Sequence, residues 1–199
     1  MNLRFAFACC LLAMSSIAVS VQAQSPADQG PAAGTIVTPA STIDSELGII
    51  EYEVMGAAKA MPADKYGFAP SQAIFVPSQT TDFATVRTFA QQATHLAQAN
   101  YFFGGLVSGL KPDADVRAID KLNKKDDVVA ALASSFAFMH KAIGTLTAAN
   151  AFEVIKTPEP GLQTRSTMAM FCVAHANDHY GQMVEYLRMN GLVPPASAK

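Results

Sequence analysis

The sequence predicts an all-α domain, an up-down four-helix bundle, and three observations predict it. Four segments carry apolar residues at the 3-4 spacing of a helix face. The stretches between them are rich in Pro, Gly and charged residues, which close helices and stay in water. No run reads as a convincing strand. Amphipathic helices without a sheet bury their apolar faces against one another, and four of them form a bundle.

The chain has 199 residues and opens Met1-Asn2-Leu3-Arg4, one positive charge ahead of an apolar run from Phe5 to Val21. Val21-Gln22-Ala23 then offers small residues at a cut site before Gln24. Residues 1–23 therefore read as a secretory signal peptide. The run is short for a membrane span and is broken by Ser15, Ser16 and Ser20, so cleavage is favoured over anchoring. The expected location is periplasmic or secreted, with no stable membrane insertion after cleavage. Cys9 and Cys10 leave with the signal. Cys172 remains alone, so no internal disulfide forms. It stands one turn before His175, as a small apolar filler rather than a metal ligand.

Residues 24–40 are mostly Ser, Pro, Ala, Gly and Thr and read as a flexible leader. Residues 41–199 suit one domain with a single core. With Arg4 gone, 13 basic residues face 16 acidic ones, a net of −3. No basic stripe is visible, which argues against nucleic acid as a partner.

The first helix is expected from about Ser41 to Met61, capped by Ser41 or Ser45 and stopped by Pro62. Residues 61–70 follow as a turn-rich connection in which Tyr66 and Phe68 pack back onto the bundle. Ala73-Ile74-Phe75-Val76 reads as a loop, since nothing nearby would pair with it. The second helix is expected from about Asp82 to Leu110, capped by Thr81 or Asp82. One stripe is Phe83, Val86, Ala90, Ala93, Ala97 and Tyr101; another is Thr88, His95, Ala99, Phe102 and Leu106. Apolar residues on two sides place this helix deep in the bundle. Gly104, Gly105 and Gly109 weaken its end, and Lys111-Pro112 closes it.

Lys111 to Asp126 is a charged, solvated connection. Asp126 or Asp127 opens the third helix, with Val128, Val129, Leu132, Phe136, Met139, Ile143 and Leu146 at 3-4 spacing to about Asn150. His140 lies one residue off that stripe and reads as a boundary histidine. Pro158-Glu159-Pro160-Gly161 is a loop. The fourth helix is expected from Thr164 to Asn190, ending at a left-handed cap signal, Asn190-Gly191.

The fourth helix carries the most informative residues. Met168, Cys172, His175, His179, Met183 and Tyr186 share one face, the stripe turned toward a core. Two imidazoles four residues apart thus point inward. A buried imidazole needs a partner at each ring nitrogen, from a hydroxyl, the backbone, water or a metal ion. His95 lies on an apolar stripe too. If it faces the pair, three neutral nitrogens suit Zn²⁺, Ni²⁺ or Fe²⁺ and leave a coordination position open for water or substrate. Core histidines without a metal remain the plainer alternative.

Sharper motifs are missing. Ala176 stands where a zinc protease places its glutamate in HExxH. There is no Glu-x-x-His for a di-iron bundle, no Cys-x-x-Cys-His for haem and no Gly-rich phosphate loop. No residue is singled out as catalytic.

The stretch from His175 through His179-Tyr180-Gly181-Gln182 to Pro194-Pro195 resembles the last helix of the DinB-like superfamily. Residues 60–68 resemble the segment that follows helix one in that family. Arg87-Thr88-Phe89, His95 and Asn100-Tyr101-Phe102 resemble its second helix. The resemblance spans roughly Ile43 to Ser197. It implies a four-helix bundle of the DinB-like type with a divalent metal held by His95, His175 and His179. Members are often dimers, so it also leaves room for a homodimer. The better-understood relatives transfer low-molecular-weight thiols or isomerise thiol adducts, which implies a small-molecule substrate. This chain departs from them in its expected export, and His140 matches no ligand position. Three readings follow: an exported metal-dependent hydrolase or thiol transferase, a non-catalytic metal- or partner-binding bundle, and a bundle with core histidines. Tyr101 and Tyr52 are the tyrosines considered for reach to the site. Tyr180 is on the face away from the histidines.

Overall fold

The computed structural model describes residues 30–74, 76–158, 161 and 163–198. The expected signal peptide, the first part of the leader, Phe75 and two residues of the Pro158–Gly161 loop lie outside them. The chain divides into two compact units, Met1–Ile36 and Val37–Lys199. Residues 30–36 of the first contain a turn closed by Thr35 N–H donating to Ala32 O at 3.0 Å. The second unit holds four α-helices: α1 (Pro39–Ala60), α2 (Phe89–Ser108), α3 (Lys125–Ile143) and α4 (Arg165–Met189). No strand longer than one isolated bridge, Val154 to Thr164, occurs among the described residues. No described helix is long and apolar enough to cross a membrane.

Helices α1 and α2 each pack against both α3 and α4. Their directions follow from the bonds between them. Lys125 Nζ donates to Lys59 O, while His140 meets Asp44, so α1 and α3 are antiparallel. Tyr186 OH donates to Arg87 O and Arg165 Nη1 to Val107 O, so α2 and α4 are antiparallel. Asn100 bonds Ser135, and Gly104 lies against Phe138 and Ala142, so α2 and α3 run the same way. The all-α bundle is the expected one, but its helices run up, down, down, up rather than in strict alternation. The α2–α3 connection makes this possible. It returns along α2 through a short 3-10 helix, Val116–Lys121, tied down where Gln98 Nε2 donates to Val116 O at 2.9 Å. Ile119 of that stretch is buried, so the connection is not wholly solvated.

The core is lined by Leu47, Ile50 and Val54 of α1, Ala93, Leu96 and Ala97 of α2, Leu132, Phe136 and Met139 of α3, and Cys172, Met183 and Leu187 of α4. These are helical repeats of one face, as the spacing requires. Helix α1 begins at Pro39, earlier than expected, because Thr38 and Ser41 form a reciprocal capping box. Helix α3 ends at Ile143 rather than near Asn150. Thr145 turns back onto Ala142 O, and Thr147 and Asn150 bond each other's backbone N–H in a separate turn. Helix α4 ends as expected, with Gly191 at φ +73° and Leu192 N–H donating to Leu187 O.

The start of α2 differs most from expectation, and the difference matters for the site. Asp82 to Val86 lie outside the helix, and Thr88, not Thr81 or Asp82, is the cap, boxed with Gln91. Tyr66 and Phe68 of the preceding connection explain why. Phe89 N–H donates to Phe68 O at 2.8 Å and Ala90 N–H to Tyr66 O at 2.9 Å. Helix N-termini need such acceptors for their first amides, and here tertiary contacts fix where they are met. Tyr66 is itself anchored by its hydroxyl, which donates to Ala58 O at 2.6 Å. The second stripe expected on α2 is peripheral, not deep: Phe102 is 47% exposed and His95 half-buried.

Candidate metal centre

Two helices bring the three expected histidines together. His95 comes from the second turn of α2, and His175 and His179 from consecutive turns of α4. Because α2 and α4 are antiparallel, the start of one faces the end of the other, and residues 80 apart in sequence meet. Ring centroids lie 5.3 Å apart for His95–His175, 4.9 Å for His95–His179 and 4.5 Å for His175–His179. One ring nitrogen from each lies within 4.8 Å of one from the others. His175 Nε2 and His179 Nε2 are 3.2 Å apart. Two nitrogens bound to one ion through bonds near 2 Å are about that far apart.

Hydrogen bonding orients one ring. His179 Nδ1 lies 2.6 Å from Gln92 Oε1, Gln92 Nε2 donates to Gln182 Oε1 at 2.7 Å, and Gln182 Nε2 donates to Asp178 Oδ2 at 3.0 Å. Read along this chain, Gln92 presents a carbonyl oxygen, so His179 Nδ1 carries the proton and Nε2 keeps its lone pair. His175 is less well served. Its Nδ1 is buried with no hydrogen-bond partner among the described residues. Phe103 and Phe171 stand beside this ring, at centroid distances of 5.6 and 6.3 Å. A cation between His175 Nε2 and His179 Nε2 would bond both of these nitrogens, whereas His175 Nδ1, on another edge of its ring, would not be served by it.

The rings are neutral. Burial, then the charge of Arg87, then His175 push His95 down to about 4. His179 is likewise pushed down to about 4 by burial, then by its two histidine neighbours, with Asp178 acting the other way and Arg87 lowering it further. Burial also lowers His175, against the pull of Asp178. Neutral imidazoles are the state that donates to a metal. Three nitrogen donors suit Zn²⁺, Ni²⁺ or Fe²⁺, and the donor set with its orienting glutamine fits such an ion.

The cluster is not sealed. A cleft of about 530 Å³ opens at His95, lined among others by Arg87, Gln91, Thr94, Gln98 and Asp120. A three-ligand site beside open space is the arrangement in which a small molecule can reach a metal.

The profile of the DinB superfamily matches residues 51–183, more than half of the chain and all three histidines. The chain belongs to the DinB superfamily. A comparison with curated proteins finds no match.

The other residues considered for this DinB site fall elsewhere. Cys172 is fully buried outside the cluster, where its thiol donates to Asn100 Oδ1 at 3.4 Å and burial pushes its pKa up to about 12. It is a filler, not a ligand. Tyr52 is 74% exposed on α1, and Tyr101 is buried with its ring against Phe138 of α3, so neither stands with the imidazoles. Tyr180 lies near Glu53 of α1, away from the site. His140 sits between Asp44 and Glu51 of α1, its Nδ1 2.6 Å from one and its Nε2 2.9 Å from the other. In the sequence Gln92 went unnoticed, and Arg87 entered only through the family resemblance, with no role at the site. The one available signal for Gln92 was its place three residues before His95, on the same face of a helix.

Proposed function

We propose that this DinB-superfamily protein is a metal-dependent hydrolase or thiol transferase acting on a small molecule outside the cytoplasm. The observation that carries this reading is the meeting of three neutral imidazoles, one of which, His95, lines an open polar cleft. His95, His175 and His179 hold the ion. When bound, a divalent cation there supplies a Lewis acid to a ligand in the cleft. Gln92 fixes the His179 ring, and Phe103 and Phe171 flank His175 with apolar surface. Arg87 adds positive charge that opposes protonation of the rings. Export follows from the N-terminal charge and apolar run, and is tested by finding Gln24 at the N-terminus of the periplasmic or secreted protein.

The experiment is metal analysis by mass spectrometry on protein purified without a histidine tag. About one Zn²⁺, Ni²⁺ or Fe²⁺ per chain is expected, falling sharply in His179→Ala. Hydrolysis or thiol transfer that is lost on chelation and restored by the ion would establish the reaction class. A chain that takes up none of these ions even when they are added would end the proposal.

A further inference from the structure

The cleft beside His95 carries two opposite charges that no described residue neutralises. Arg87, just before the cap of α2, and Asp120, in the 3-10 helix that returns along α2, both line it. Neither side chain forms an ion pair with the other or with any other described residue. Both are exposed, yet both are held by ordered backbone. Arg87 O accepts from Tyr186 OH at 2.9 Å, and the segment carrying Asp120 is anchored by buried Ile119 and by Gln98. The rest of the lining carries no charge: it is His95 with Thr85, Gln91, Thr94 and Gln98, and the apolar Ala84 and Val86. A guanidinium fork recognises a carboxylate in two parallel hydrogen bonds, and a carboxylate recognises an ammonium. Opposite charges set in one concave surface select a ligand carrying both complementary charges over a ligand carrying one.

We infer that the cleft binds a small zwitterion of the amino-acid or short-peptide class, its carboxylate on Arg87 and its ammonium on Asp120. This names a substrate class for the site proposed above and rests on that reading for its chemistry, though not for the binding itself. In a bound molecule of this kind, the segment between the two charges lies in the cleft that His95 lines. A functional group on that segment, such as a thiol or a scissile amide, is thereby presented at the histidine cluster.

Calorimetric titration of the purified protein with glycylglycine, acetate and methylammonium tests this, in metal-free and zinc-loaded forms. Glycylglycine is expected to bind at least tenfold more tightly than either singly charged probe. Arg87→Gln and Asp120→Asn are each expected to remove that advantage, and Arg87→Lys to keep part of it. Equal affinity for the three probes, no binding of any, or an advantage that survives both neutral substitutions would overturn the inference. The metal-free protein carries the same two charges. Failure to bind Zn²⁺ would therefore end the metal reading and leave this one standing, whereas loss of the preference alone would do the reverse.

Discussion

Gln92 Oε1 stands 2.6 Å from His179 Nδ1, and through this contact one buried side chain of α2 sets the orientation of a ring on α4. Partners of this kind fix the tautomer of a metal-binding histidine, and their loss costs about 10–100-fold in metal affinity. Gln92→Leu keeps the bulk but removes the carbonyl. Zinc affinity, measured by competition with a chromophoric chelator, is expected to fall within that range while the helical circular dichroism is unchanged. Unaltered affinity would mean that packing alone holds the ring.

Metal removal should be visible as lost stability. An ion that binds only the folded chain stabilises it by about 2.7 kcal/mol when present at 100 times its Kd. For a domain of this size, that corresponds to a rise of roughly 5–11 °C in Tm. Adding Zn²⁺ to chelator-treated protein is expected to raise Tm accordingly, and His95→Ala is expected to abolish the rise. A His95→Ala protein that responds as the parent does would exclude that ring from the site.

The acid limb of the stability profile follows from the three imidazoles. His95 and His179 are held down at about 4 and His175 is also lowered, in each case first by burial. In the unfolded chain, histidine titrates near 6.5. Between about 4 and 6.5 the unfolded state therefore binds more protons, so stability rises with pH across that window. The contribution is complete above the unfolded value and lost as pH falls through the folded ones. Metal-free protein should show a urea midpoint that climbs from pH 4.5 to 6.5. Zinc affinity should change little between pH 7.5 and 6, because protons compete only at lower pH. A zinc affinity falling steeply through pH 6.5 would show ordinary, solvated histidines.

The sequence exposed part of this site and hid the rest for identifiable reasons. His175 and His179 were legible because an i,i+4 pair on an apolar stripe points inward whatever the tertiary fold. His95 could be joined to them only through family resemblance, since residue spacing says nothing about which helices become neighbours. Gln92 was invisible because a glutamine in a helix ordinarily reads as a solvated position. The start of α2 was misplaced because Phe83 and Val86 continue the helical period. The carbonyls of Tyr66 and Phe68, which decide where that helix begins, are set by tertiary packing. The parallel course of α2 and α3 depends on a connection that packs along α2, and its composition gave no sign of that.

His140 governs the alkaline limb. Its two ring nitrogens face Asp44 and Glu51, both on α1, so the charged imidazolium satisfies both carboxylates and clamps α3 to α1. Burial alone would lower its pKa, but the hydrogen bonds to Asp44 and Glu51 and their charges outweigh that and raise it. With the folded pKa above the unfolded one, the clamp is complete below about pH 6.5 and is lost as pH rises through the raised value. The three groups are partly exposed, so the stabilisation is discounted to about 1 kcal/mol. His140→Gln should lower the urea-derived stability by that amount at pH 6 and by much less at pH 9. An equal loss at both would show a packing role without charge.

At Gly104, α2 lies close against Phe138 and Ala142 of α3. A Cβ built there would sit 2.7 Å from Phe138 Cε1 and 2.9 Å from its Cδ1, with Ala142 Cβ at 3.4 Å. Phe138 is buried and its ring is also packed against Tyr101, so it has little freedom to withdraw. Two effects of Gly104→Ala oppose each other. The helix gains up to about 1 kcal/mol in propensity, and overpacking costs roughly 1–3 kcal/mol. The contact distances are far inside van der Waals range, so overpacking wins. The substitution should destabilise the domain by about 1 kcal/mol net. Gly104→Ala combined with Phe138→Leu should recover part of the loss, because a smaller side chain clears the added methyl. A single substitution that stabilises the protein would mean that α2 and α3 separate at little cost.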